Sequence, residues 1–188
     1  MYVVLEGIDT AGKSTQLEIL KSKFKEAVFT KEPGGTKLGI KLREMILSGE
    51  AQSSKAEMFM FLADRAEHTE EIILKNKNSL IISDRSFISG IAYALNEDME
   101  KLIELNRFAT SNNFPNKVIL LELSKNELEK RLSKKENDSI EKRGSDYLLS
   151  IQDRLKQTIL KLNIDYIFID ASDSIENIAQ KIEDFIND

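Results

Sequence analysis

Residues 7–14, Gly-Ile-Asp-Thr-Ala-Gly-Lys-Ser, restrict the fold of this chain more than any other stretch. They match G-x-x-x-x-G-K-[ST] and stand between an apolar run, Tyr2 to Leu5, and a helical stripe from Lys13 to Lys25 that carries Leu17, Leu20 and Phe24. Glycine reaches backbone conformations closed to other residues and lets main-chain amides approach an oxyanion. Successive N–H groups and the positive end of the following helix then surround phosphates. Gly7, Ile8, Asp9, Thr10, Ala11, Gly12, Lys13, Ser14 and Thr15 are read as the cradle of a nucleoside triphosphate. Lys13 is placed to reach the β- and γ-phosphates, and the Ser14 hydroxyl to ligate Mg²⁺. The alternative is an ordinary strand-to-helix turn.

The rest of the chain repeats this strand-then-helix order. Mostly apolar runs at Tyr2 to Glu6, Ala27 to Lys31, Ser79 to Ser83, Lys117 to Glu122 and Ile164 to Ile169 lack clean alternation, as strands covered on both faces should. Helical stripes follow at Leu38 to Leu47, Ala56 to Leu74, Asn126 to Leu132, Tyr147 to Leu162 and Ile175 to Ile186. Alternation of this kind predicts an α/β three-layer sandwich with a five-stranded parallel sheet. With 188 residues, one domain spanning 1–188 is expected. Segment 133–144 departs from the pattern, being polar and densely charged; it reads either as a solvated connection or as a mobile lid carrying cations.

Composition narrows the partners. A net charge of −5 gives no general pull toward nucleic acid or acidic membranes, so any anion must be held by a local cluster of cations. Zero cysteines exclude disulfides and thiolate metal sites. The apolar opening lacks a basic n-region and a cleavage signature, so no signal peptide is expected and the cytoplasm is the default compartment. A guanine-reading N/T-K-x-D is missing, since Asn76-Lys77-Asn78-Ser79 precedes its strand and lacks the aspartate. Motor and transport ATPases usually need a longer chain. A small kinase fits the size better.

Acceptor-side residues lie after the second and third strands. Asp84 and Arg85 end the third strand, the first to hold Mg²⁺ through water and the second to grip a phosphate with its planar fork, unless they are merely a surface pair. Pro33-Gly34-Gly35 makes a rigid turn that opens a helix presenting Arg43. Phe61 and Arg65, one helical turn apart, could stack a base and bond its edge; taken alone, a phenylalanine there is more often core than platform. His68 is expected on a solvated or dimer face.

Together these residues resemble the thymidylate kinase family over almost the whole chain. Its E-G-x-D-x-x-G-K-[ST]-T stands at Glu6 to Thr15, its T-R-E-P-G-G-T at Thr30 to Thr36 with Lys31 for arginine, and its F-x-x-D-R-A at Phe61 to Ala66. Its D-R-Y-x-x-S-x-x-A-Y-Q stands at Asp84 to Ala94, and a late D-A-x-x-S-I-E at Asp170 to Glu176. The resemblance implies a P-loop NTPase-type fold, phosphorylation of dTMP by ATP with Mg²⁺ on the path to dTTP, and a homodimer. It implies Asp9 at the deoxyribose 3′-hydroxyl, Phe61 stacked on thymine, Arg65 at the O4 edge, and Arg43 with Arg85 on the monophosphate. Ser89 joins the substrate-binding set, and Tyr93 lies beneath the sugar and excludes a 2′-hydroxyl. The Ala171 to Ile175 connection would border adenine.

Departures from the pattern are Ser86 for tyrosine, Ala94 for glutamine, and Gly90 where many members carry a polar base-reading residue. The lid reads Asp138-Ser139-Ile140-Glu141 without the family's arginine, and Thr10 and Ala11 are neutral. Catalysis then draws its extra cation from Lys134, Lys135, Lys142 or Arg143, of which Arg143 best spans two oxygens. Two other readings compete. A deoxynucleoside kinase would use Glu32 as general base toward a hydroxyl, although the relatives of that kind carry a tryptophan that this chain lacks. A nucleotide-dependent interaction module without kinase activity is the other.

Overall fold

A computed structural model of the chain describes residues 1–134 and 144–188. In chain order the elements are β1 (Tyr2–Glu6), α1 (Lys13–Lys23), β2 (Val28–Lys31), α2 (Lys37–Ser48), α3 (Ser54–His68), β3 (Ile81–Asp84), α4 (Phe87–Tyr93), α5 (Met99–Ala109), β4 (Lys117–Glu122), α6 (Lys125–Leu132), α7 (Ser145–Lys161), β5 (Asp165–Asp170) and α8 (Ile175–Asn187). The five strands form one parallel sheet, as expected from the alternation, and their order is β2-β3-β1-β4-β5. Crossovers between parallel strands are right-handed. The β1-to-β2 step runs opposite to the later ones, so α1 packs with α8 on one face while α3, α4, α5 and α7 pack together on the other.

Val3, Val4 and Leu5 of β1, with Val118 to Leu121 of β4, are fully buried at the centre of this sandwich. Edge strands do not share that cover. β2 is half-buried, and Asp165 and Tyr166 of β5 are exposed, correcting the expectation that every strand is covered on both faces. The helix expected over Ala56 to Leu74 is α3 followed by a π-helical turn, Thr69–Ile73, and α4 and α5 stand where no helix was expected. Side-chain caps begin five helices: Thr36, Ser86, Asp98, Ser124 and Ser174 each accept from an amide in the first turn, satisfying donors the helix leaves open.

The order of strands puts the chain reversal beside β1. From β1 the chain steps to one side, and from β3 it crosses to β4 on the other, so the loops after β1 and β3 meet at the carboxyl edge where such sheets bind ligands.

Candidate active site

Backbone geometry makes the loop after β1. Gly7 and Gly12 have φ of +151° and +95°, and a Cβ on Gly7 would come within 3.0 Å of the Leu121 carbonyl oxygen. Inside the loop lies Lys13, 8% exposed, whose Nζ donates to the carbonyls of Gly7 at 2.8 Å and Ile8 at 3.2 Å. Burial, then the Arg85 charge, lowers its pKa to about 8, against the pull of Asp84, Asp9 and Glu6. Ser14 and Thr15 are exposed at the start of α1.

Arg85 leaves β3 with a left-handed φ of +69°, an uncommon conformation for a non-glycine residue and one that gathers at functional sites. Its Nη2 donates to Asp9 Oδ1 at 2.7 Å and its Nη1 to Ser89 Oγ at 3.0 Å. Ser89 then donates to Glu6 Oε2 at 2.6 Å, and Ser86 to Glu6 Oε1 at 2.8 Å. Glu6 is fully buried, and burial pushes its carboxyl pKa up although Arg85, the two serines and Lys13 oppose this. Sequence reasoning assigned Glu6 no role; its place in the E-G-x-D motif was the available signal. Ser86, a departure from the family pattern, bonds Glu6 and also caps α4 by accepting from the Ile88 amide.

A second buried network underlies the turn after β2. Arg65 Nε donates to Glu32 Oε2 at 2.9 Å, and Arg65 Nη1 donates to Asn106 Oδ1. Glu32 Oε1 lies 2.9 Å from His68 Nδ1, whose Nε2 meets Thr30 Oγ1 at 2.7 Å. Burial would raise the Glu32 carboxyl, but Arg65 and His68 outweigh it and hold the pKa below its usual value. His68 is 0% exposed, which corrects the solvated or dimer-face placement. It lies three residues after Arg65, on the same face of α3, so it is carried to the same turn. Asp64 Oδ1 accepts from the Gly34 amide at 2.9 Å, and Arg43 Nη1 donates to the Pro33 carbonyl at 3.2 Å. Phe61 is half-buried one turn before Arg65.

Several of the predicted residues lie together. Asp9, Arg85 and Ser89 share hydrogen bonds, Lys13 lies within their field, and Tyr93 places its ring centroid 5.7 Å from Arg85 Cζ. Arg43 and Arg65 join through the Glu32-Pro33 segment, and Arg65 reaches Gly90, the neighbour of Ser89. Arg143 lies outside the described residues, as do Lys135 and Lys142. Three polar atoms of the predicted residues are buried without a partner among the described residues, Thr10 Oγ1, Tyr93 Oη and Asp84 Oδ1. A buried polar atom left unpaired is costly, and a ligand would supply the missing bond. Burial raises the Tyr93 hydroxyl to about 12, so it stays a donor.

Ser14 and Asp84 line one cavity of about 400 Å³ with Thr30, Lys31, Gly34 and Gly35. A hydroxyl and a carboxylate oxygen free to accept more ligands fit Mg²⁺, which keeps several waters and leans on substrate phosphates. Among the described residues no group of three or more His, Cys, Asp or Glu could hold a metal. Arg131 was missed from sequence. It ends α6, donating from Nη1 to the Thr10 carbonyl at 2.9 Å and from Nη2 to the Ala171 carbonyl at 2.6 Å, and so ties the phosphate loop to the β5–α8 connection. Gln16 Nε2 reinforces that tie through the Ile175 carbonyl at 3.1 Å.

A phosphate loop with arginines gathered opposite it on an open parallel sheet defines a nucleotide kinase of the phosphate-loop class. Comparison with known proteins is more specific. The family model described as thymidylate kinase matches residues 5–182. Thymidylate kinase of Aliarcobacter butzleri is 68% identical over 187 residues, covering 100% of this chain and 99% of that protein. Thymidylate kinase of Campylobacter lari is 52% identical with both chains covered to 100%, and that of Sulfurovum sp. is 50% identical with 97% of each covered. The chain belongs to the thymidylate kinase family. A crystal structure of thymidylate kinase from Ehrlichia chaffeensis, 22% identical, shares the fold with a TM-score of 0.76 over 100% of this chain and 98% of that one.

Proposed function

We propose that this chain transfers the γ-phosphoryl group of ATP to dTMP, giving dTDP and ADP for dTTP synthesis. The observation that carries the reading is the Arg85–Asp9 pair, which sets a guanidinium for the acceptor phosphate against the loop that cradles the donor. A phosphomonoester with a second pKa of ~6 is largely a dianion at neutral pH, so its oxygen needs little deprotonation. The work lies in bringing two polyanions into line and neutralising charge as the phosphoryl moves. Lys13 and Arg85 meet the donor and acceptor phosphates, Arg43 closes on the monophosphate, Phe61 and Arg65 hold the base, and Tyr93 with Asp9 lies along the sugar. Mg²⁺, held by Ser14 and by Asp84 through water, supplies charge neutralisation on the donor phosphates when bound.

Glu32 does not fit the general base of a deoxynucleoside kinase, because Arg65 and His68 engage both of its oxygens. Residues 1–188 act as one catalytic domain, working in the cytoplasm; the lid expected over 133–144, with Arg143, lies outside the described residues except at its ends. Among the described residues no helix is long and apolar enough to cross a membrane. A homodimer is supported by exposed Leu38, Ile40, Met45 and Leu47 on α2 and Phe59 on the adjoining α3.

The test supplies dTMP and thymidine separately with Mg-ATP and measures ADP. Release with dTMP is expected; turnover with thymidine alone overturns the assignment. Loss of that activity in a folded Lys13→Ala protein excludes a pure interaction module.

A further inference from the structure

Arg65 is held in a way that the residue alone does not dictate. It is 3% exposed, with Nε on Glu32 and Nη1 on Asn106, while Nη2 has no hydrogen-bond partner among the described residues. The space around that free nitrogen exists because residue 90 is glycine. A Cβ there would lie 2.9 Å from Nη2, 3.4 Å from Nη1 and 3.6 Å from Cζ of Arg65. An arginine end usually swings away from such a contact, but this one is anchored at two of its nitrogens. Asn106 is itself fixed: it is 3% exposed, and its Nδ2 donates to the Leu102 carbonyl at 2.7 Å, which turns Oδ1 toward Arg65.

Resting on the reading of Arg65 as the base-edge donor, we infer that Gly90 and Asn106 are positioning residues that set base specificity through it. Gly90 vacates the space, Asn106 orients the guanidinium within it, and Nη2 is left as the donor presented to the base. A guanidinium donates and never accepts. It therefore pairs with a pyrimidine carrying a carbonyl at position 4 and leaves a 4-amino pyrimidine unpaired, a mismatch that a site built around hydrogen bonds penalises. Asn106 comes from α5, so a helix remote from the phosphate loop tunes which nucleotide is accepted.

The experiment compares the full-length protein with Asn106→Leu, Gly90→Ala and Arg65→Ala, using dTMP and 5-methyl-dCMP at saturating Mg-ATP. Asn106→Leu removes the acceptor at similar volume, and Gly90→Ala pushes the guanidinium from the other side, so the second decides should the first not fold. Each is expected to raise the KM for dTMP about tenfold and to narrow the preference for dTMP over 5-methyl-dCMP, with kcat and the KM for ATP within about twofold. An unchanged dTMP KM and preference in both folded variants, with Arg65→Ala impaired, overturns the inference alone. No effect of Arg65→Ala on dTMP KM overturns the base-edge reading and the inference with it.

Discussion

A lysine buried in a phosphate loop is costly to keep charged, and here the cost falls inside the working pH range. Burial and Arg85 bring Lys13 to about 8, whereas in the unfolded chain it would titrate near ~10.4. Its contribution to stability is full above the unfolded value and is lost as pH falls through about 8, because the unfolded state then binds the proton more readily. Triphosphate restores the charge, so nucleotide binding should take up about one proton near pH ~9 and almost none near pH ~6.5. Calorimetry in buffers of different ionisation enthalpy measures that uptake. Arg43→Ala should raise the KM for dTMP by about tenfold or more while leaving ATP affinity nearly unchanged, as removal of a charge-assisted bond to one substrate only; equal loss on both sides would contradict its role. Residues of the glycine-framed loop were legible because their work is local. Glu6, Asn106 and Arg131 were not, since each acts through partners 40 to 121 positions away.

Elements impose a different constraint, which is clearest at the turn between β2 and α2. A Cβ on Gly35 would lie 2.7 Å from both His68 Cδ2 and the Lys31 carbonyl oxygen, and 2.8 Å from Thr30 Oγ1. The carbonyl cannot rotate away, so Gly35→Ala should cost about 1–3 kcal/mol as overpacking and shift the Arg65–Glu32–His68 network with it. Urea unfolding reads the first effect and the KM for dTMP the second. All five strands and the long helices were legible to within a few residues, because an apolar run or a stripe at helical spacing needs only neighbouring residues to be seen. α4 escaped because it is only seven residues long and Phe87, Ile88, Ser89, Ile91 and Ala92 are all buried, so no exposed polar face marks a helical stripe. α5 escaped for the opposite reason: Asn106 occupies one of its inward positions and breaks the apolar stripe.

The whole molecule brings the elements to one edge. If α2 and α3 cover each other's copies in a homodimer, Phe59→Glu should bring the particle from about twice the chain mass of 21.4 kDa down to that mass in sedimentation, because a buried charge opposes association. A chain that stays at the dimer mass would place the contact elsewhere. Sequence alone determined the phosphate loop, the alternation that builds a parallel sheet, and the residue types that gather at its carboxyl edge, since turn geometry and periodicity depend on residues a few positions apart. Tertiary structure alone decided that Glu6 reaches Arg85 through Ser89, that His68 is walled in beside Glu32, and that Arg65 fills the space left by Gly90. Those pairings exist only after the sheet has brought distant loops together, and no local preference of the chain encodes which carboxylate a buried cation will find.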